Sequence, residues 1–139
     1  MNVEAKIEQH IYSITINNVN PELLPQTSLL DDQAKIVASP LGNRLRVAGT
    51  AELTGENYDI RRDRIQPLLN WVHTNFPKVS TRDYSQWACL RPMTPNMMPI
   101  VGQSKNNKNV FYHVGHGHLG WTLSPATANN LTKLIKDSN

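Results

Sequence analysis

The stretch Val110-Phe111-Tyr112-His113-Val114-Gly115-His116-Gly117-His118-Leu119-Gly120-Trp121-Thr122-Leu123-Ser124-Pro125 decides how the chain is read. Val110 to Val114 reads as a strand. Gly115-His116-Gly117-His118-Leu119-Gly120 then spells G-x-G-x-x-G. Ser124 and Pro125 supply a cap and a first helical residue, and Thr127, Ala128, Leu131, Leu134 and Ile135 share one helical face. Strand, glycine loop and helix in that order look like the opening of a dinucleotide-binding βαβ unit. Such a unit needs a second parallel strand after the helix, with an acidic residue at its end for a ribose hydroxyl. The sequence stops at Asn139, directly after the helix, and Asp137 lies in the helical tail. A self-contained dinucleotide fold is therefore not expected. The local chemistry remains. Three glycines let a ligand approach the backbone, and the helix start turns N–H groups and the positive end of its dipole toward an anion. A plain chain-reversing turn is the alternative.

Outward from this loop, Gln86 to Arg91 reads as a strand leading into the corner Pro92-Met93-Thr94-Pro95-Asn96. Pro92 restricts Arg91 to an extended conformation, so its guanidinium is set to meet a carboxylate with two parallel hydrogen bonds. A structural arginine paired with Glu52 or Asp83 is the alternative. Further upstream, Ile65, Leu68, Leu69, Val72 and Phe76 follow helical spacing. Asp63 and Gln66 suggest a capping box, Pro67 falls in the first turn and Pro77 closes the segment. Ala34, Ile36 and Ala38 alternate with Lys35, Val37 and Ser39, turn at Pro40-Leu41-Gly42-Asn43, and return through Leu45 and Val47 as a hairpin. Gly49 in the return strand suits a bulge or the close approach of a ligand. Asn17 to Asp32 reads as a long connection, and Tyr12, Ile14 and Ile16 line one face of a half-buried strand. Strands and helices are segregated, which predicts an α+β domain: a mostly antiparallel sheet with two main helices.

The chain has 139 residues, 39% of them hydrophobic and 18% charged, enough for one domain with a core. The net charge of +3 is diffuse, with Arg61, Arg62 and Arg64 as the one dense cluster, so no nucleic-acid partner is expected. No apolar run reaches the length of a membrane span. The opening Met1-Asn2-Val3-Glu4-Ala5-Lys6 lacks the order of a signal peptide. The single cysteine, Cys89, rules out an internal disulfide and points to a reducing, cytoplasmic setting. It reads as an ordinary strand residue, and Trp71 and Trp87 as packing residues. His113, His116 and His118 offer three nitrogens, but no carboxylate stands near them in sequence, and no metal site is expected.

Leu90-Arg91-Pro92-Met93-Thr94-Pro95-Asn96, then Pro99-Ile100-Val101-Gly102, then Gly115-His116-Gly117-His118-Leu119-Gly120-Trp121-Thr122 resemble the C-terminal part of the FAD-dependent D-amino acid dehydrogenases, the DadA-like members of the amino-acid oxidase superfamily. Arg46-Val47-Ala48-Gly49-Thr50-Ala51-Glu52-Leu53-Thr54-Gly55 resembles that family's hairpin, and Tyr12-Ser13-Ile14-Thr15 a strand of its substrate domain. The resemblance implies the substrate-domain and C-terminal part of an FAD-dependent oxidoreductase. Residues 4–110 would be the substrate-domain portion, and 110–137 a strand, loop and helix completing the FAD site. The family's N-terminal nucleotide-binding unit is not in this sequence, so the missing FAD-binding domain, in the same or a separate chain, is an expected partner. Three positions depart from the family's pattern: His10 and Ile11 before the tyrosine, Cys89 before Leu90-Arg91-Pro92, and Asn96-Met97-Met98.

The activity implied is oxidation of a D-amino acid at its α-carbon, hydride transfer to the flavin, and hydrolysis of the imine to a 2-oxo acid and ammonia. Arg91 would bind the substrate carboxylate, with Tyr12 and Tyr58 as hydrogen-bonding candidates. Gly117, His118, Leu119, Gly120, Trp121 and Thr122 would face the flavin's pyrimidine edge, and no side chain of this chain is assigned a catalytic step. Alone, the chain is expected to hold FAD weakly or not at all, to be inactive and to self-associate through the face left bare. The whole protein would lie in the cytoplasm or at the inner face of the membrane. A non-catalytic carboxylate-binding module and an inert relic of a truncated gene are the alternatives.

Overall fold

The computed structural model describes residues 7–53, 55 and 57–138. Met1 to Lys6, Thr54 of the Arg46–Gly55 stretch, Glu56 and Asn139 lie outside them. Strand β1 runs Ile7–Ile16, β2 Leu29–Asp31, β3 Ile36–Leu41, β4 Arg44–Leu53, helix α1 Arg62–Asn75, β5 Tyr84–Met93, β6 Ile100–Gln103, β7 Phe111–Val114 and helix α2 Gly120–Asp137. The fold is α+β, with a five-stranded sheet ordered β2-β3-β4-β1-β5 and a separate β6-β7 pair. β2 with β3, β3 with β4, and β6 with β7 run antiparallel. The chain divides into two compact units, His10–Leu90 and Met1–Gln9 with Arg91–Asn139. Among the described residues no helix is long and apolar enough to cross a membrane.

The core of His10–Leu90 follows from two periodicities. Tyr12, Ile14 and Ile16 of β1, Ile36 and Ala38 of β3, and Leu45 and Val47 of β4 are buried at a spacing of two. Ile65, Leu68, Leu69 and Val72 of α1 meet them at helical spacing. Each large apolar side chain buried here contributes roughly 1.5–3 kcal/mol. The hairpin turns at Gly42-Asn43, with Leu41 paired to Arg44.

Several local expectations are corrected. Gly49 makes room for the protein's own core: a Cβ there would stand 2.7 Å from Ile36 Cγ1 and 3.2 Å from Leu68 Cδ2. No ligand is needed to explain that glycine. Helix α1 has no side-chain cap, because Asp63 forks onto the guanidinium of Arg61 instead, at 2.6 and 3.1 Å. Gln66 bonds Asn70 and leaves the capping box unmade. With the start at Arg62, Pro67 falls past the first turn. The long connection contains β2 and a 3-10 turn, Pro21–Leu23. Trp87 lies half in solvent, 5.2 Å beneath the Arg46 guanidinium, and is no core residue.

Candidate functional site

The unit that contains Arg91–Asn139 holds the arginine corner and the glycine loop. β6 and β7 pair from Ile100 with Val114 to Gln103 with Phe111, which delivers the chain into the loop. Gly115 has φ +74, and Gly117 φ +54. A Cβ on Gly115 would lie 2.7 Å from Thr94 Cγ2, so only glycine lets the loop pass this close to the corner. Met93 and His116 form an antiparallel bridge. The backbone two residues after Arg91 is thus tied to the middle of the loop. Two motifs distant in sequence meet here.

Beyond the bridge, Gly117–Leu119 forms a 3-10 turn that runs into α2. The helix begins at Gly120, four residues before the Ser124-Pro125 pair that sequence alone selects. Pro125 is interior and has no N–H for the carbonyl of Trp121. The Ser124 hydroxyl donates to that carbonyl instead, at 3.2 Å. The true start has no side-chain cap, and the Leu119 N–H is taken up by the His116 carbonyl at 3.1 Å. The N–H groups of Trp121 and Thr122 stand in the first turn of α2, where a helix has no partner of its own for them. That is the donor set an anionic ring edge requires. Trp121 is 95% exposed and does not pack in a core. Of the apolar face expected on α2, Thr127 and Leu131 are half-buried, while Ala128, Leu134 and Ile135 are exposed.

Arg91 is half-buried and makes no ion pair or side-chain hydrogen bond with a described residue. Its alternative partners are engaged elsewhere. Asp83 accepts from Asn17 and Asn18, each at 3.1 Å, and Glu52 belongs to a different network. Hollows among the described residues lie around Ile65, Asn18 and Phe76, and Arg91 lines none of these three.

The other unit carries Tyr12 and Tyr58. Along β4, Leu45 and Val47 are buried and Gly49 faces the core, so strict alternation would send Glu52 outward. Thr50, at φ +38, breaks the alternation. Ala51 is exposed and Glu52 turns inward, its side chain 10% exposed. Its carboxylate accepts from the Tyr12 hydroxyl at 2.5 Å, from Arg64 Nε at 2.7 Å and from Arg61 at 3.4 Å. His10 is buried against the Tyr12 ring, with Nδ1 3.1 Å from its hydroxyl. The hydroxyl donates to Glu52, so the imidazole is the donor to it. Tyr12 is therefore fully buried with its hydroxyl engaged, whereas Tyr58 is 72% exposed.

Burial, reinforced by the bond to Glu52, pushes the Tyr12 hydroxyl up to about 12. The Tyr12 hydroxyl, with Arg64 and Arg61, holds the Glu52 carboxyl below the usual range against the effect of burial. The raised tyrosine stabilises the fold below pH 10, and that contribution is lost as the pH rises toward about 12. The depressed carboxylate stabilises it above the ordinary glutamate range and loses its contribution in acid. Tyr12→Phe is expected to cost about 1–3 kcal/mol in chemical denaturation and to abolish the latest tyrosine ionisation in an ultraviolet titration. A variant as stable as the parent would remove this network from the fold's supports.

Sequence reasoning named Glu52 only as an alternative partner for Arg91 and missed this network. A β-branched residue at positive φ leaves no signature. The hydroxyl of Thr127, which meets His113 and His116 at 2.8 and 2.9 Å, was also missed. Among the described residues, no three metal-ligating side chains come together.

Residues 7–134 match the family model described as FAD dependent oxidoreductase. Over 128 residues the chain is 56% identical to "D-amino acid dehydrogenase 3" of Mesorhizobium japonicum, covering 89% of this chain and 31% of that protein. It is 40% identical over 125 residues to a D-amino acid dehydrogenase of Dechloromonas aromatica, with coverage of 89% and 30%. The chain thus spans about 30% of the length of the curated relatives it matches. A glycine oxidase structure from Geobacillus kaustophilus superposes with a TM-score of 0.77 at 22% identity, over 95% of this chain and 35% of that one. An L-proline dehydrogenase from P. horikoshii gives 0.74 at 12% identity, over 99% and 38%. At these identities the two structures speak for the fold.

Proposed function

The chain belongs to the FAD dependent oxidoreductase family, and from that premise we propose that it is the substrate-domain and C-terminal portion of a D-amino acid dehydrogenase. The observation that carries the reading is the 56% identity to such an enzyme across nearly the whole chain. The structure supports it through the Met93–His116 bridge, which joins an arginine lacking a described partner to an uncapped helix start. In this reading the Arg91 guanidinium takes the substrate carboxylate through two parallel hydrogen bonds and so fixes the α-carbon. Tyr58 is an exposed hydrogen-bonding candidate in this reading, and the Tyr12 hydroxyl is already taken by Glu52.

The donor set after the loop fits FAD: Gly117, His118, Leu119, Gly120, Trp121 and Thr122 would hold its pyrimidine edge, where N–H groups and the helix dipole favour negative charge. When bound, FAD supplies the two-electron acceptor for oxidation of the α-carbon. The remaining part of the cofactor site belongs to the portion of the relatives that this chain does not span. The exposed Leu119, Trp121, Leu134 and Ile135 favour contact with that portion and, without it, self-association. The cytoplasm is the compartment proposed, on the single cysteine.

The test joins this chain behind the preceding part of the Mesorhizobium japonicum relative. The joined protein is expected to retain FAD through gel filtration and to reduce a dye with D- but not L-amino acids. A folded, flavin-loaded product inert to every D-amino acid would overturn the substrate class. One that folds without flavin would overturn the family's cofactor for this chain.

A further inference from the structure

One oxygen atom, Thr127 Oγ1 on α2, lies within hydrogen-bond reach of four partners. They are His113 Nε2 on β7 at 2.8 Å, His116 Nε2 in the glycine loop at 2.9 Å, the Leu123 carbonyl at 2.9 Å and the Ser124 carbonyl at 3.3 Å. A hydroxyl has one proton and two lone pairs. The two carbonyls only accept, and the arrangement that satisfies the most contacts sends the proton to the nearer of them, Leu123. Both lone pairs then take N–H donors. In that arrangement each imidazole carries a proton on Nε2. The rings stand edge to face with centroids 4.7 Å apart, an arrangement compatible with both nitrogens converging on one oxygen.

The geometric consequence reaches the loop. His116 bridges Met93 through its backbone, accepts the Leu119 N–H through its carbonyl, and is tied to α2 through its ring. Gly115 and Gly117 on either side have wide conformational freedom, so the backbone alone does not hold this path. We propose that Thr127 is a positioning residue. Its hydroxyl fixes both histidine tautomers and thereby locks Gly115–Leu119 in the conformation that leads into the N–H row of α2. The consequence for flavin rests on the proposed function above. The tautomers and the loop do not.

The experiment has two arms. In the labelled chain, long-range proton–nitrogen correlation is expected to show His113 and His116 as Nε2–H tautomers. Thr127→Val should erase that signature in both rings and speed exchange of the Leu119 amide about tenfold, the loss of roughly one net hydrogen bond. Thr127→Ser should keep both properties. A Nδ1–H tautomer in either parent ring, or a valine variant unchanged in both readouts, would overturn the proposal. In the joined enzyme, Thr127→Val should shift the flavin's absorbance and reduction potential, and Thr127→Ser should restore them. Altered tautomers with an unaltered flavin would reduce Thr127 to a structural tie and refute its positioning role. A parent that binds no flavin refutes the proposed function, while the tautomer result stands by itself.

Discussion

Replacing Arg91 by alanine in the joined enzyme is expected to lower kcat/KM for D-amino acids about 10²- to 10³-fold, with flavin content unchanged. The magnitude follows from removing one partner of a charge-assisted, two-bond pair, and each factor of ten corresponds to about 1.4 kcal/mol. Arg91→Lys should recover little, because an ammonium cannot make the two coplanar bonds of a guanidinium. Two features on this chain make the prediction specific. Arg91 makes no ion pair with a described residue, while Glu52 and Asp83 are bound elsewhere. The strand it sits on is anchored at Met93 to the loop. If Arg91 were a structural cation, its removal would cost stability and leave KM alone. Steady-state kinetics beside a melting curve separates the two cases, and an unchanged kcat/KM would take Arg91 out of the site.

What was legible in the sequence is what a short-range rule dictates. Tyr12, Ile14 and Ile16, and Ile36, Ala38, Leu45 and Val47, alternate because one face of the sheet is buried and the strand period is two. The α1 face was equally plain at Ile65, Leu68, Leu69 and Val72. The turn around Pro95-Asn96 and the freedom of Gly115 and Gly117 were legible, although β5 runs through Pro92 to Met93, two residues past the end expected at Arg91. Helix starts were not. Ser124-Pro125 carries a start signal, yet a serine can substitute for the bond that a following proline cannot donate, so the pair also fits an interior turn. β6 has only four residues, one of them Gly102, too few to show an alternation. The inward turn of Glu52 depends on a positive φ at Thr50, and the meeting of His113, His116 and Thr127 on how β7 and α2 pack. Both are tertiary outcomes without a local code.

Gly115→Ala should destabilise the chain by about 2–5 kcal/mol, the sum of a left-handed backbone cost of roughly 1–2 and an overpacking cost of roughly 1–3. The first cost comes from φ +74, and the second from the 2.7 Å approach of the new Cβ to Thr94 Cγ2. Thr94 cannot easily yield. It is buried and its hydroxyl donates to the Met98 carbonyl at 2.8 Å, within the turn closed by the Met97 N–H to its own carbonyl. The two costs are separable. Thr94→Ser keeps that hydroxyl and deletes the methyl, so the double variant should recover the overpacking part and leave the backbone part. Gly102→Ala is the control, because its Cβ would meet nothing within 4 Å and its φ is not in the left-handed region. Denaturant unfolding of the four proteins reads all of this at once. If Gly115→Ala unfolds with Gly102→Ala, the loop does not press on the corner, and the close approach of Thr94 to Gly115 is not a fixed contact. If the double variant falls further than Gly115→Ala alone, the methyl was support and not obstruction. In that event Thr94 would hold the corner by packing against the loop, and the glycine would be required by its φ alone.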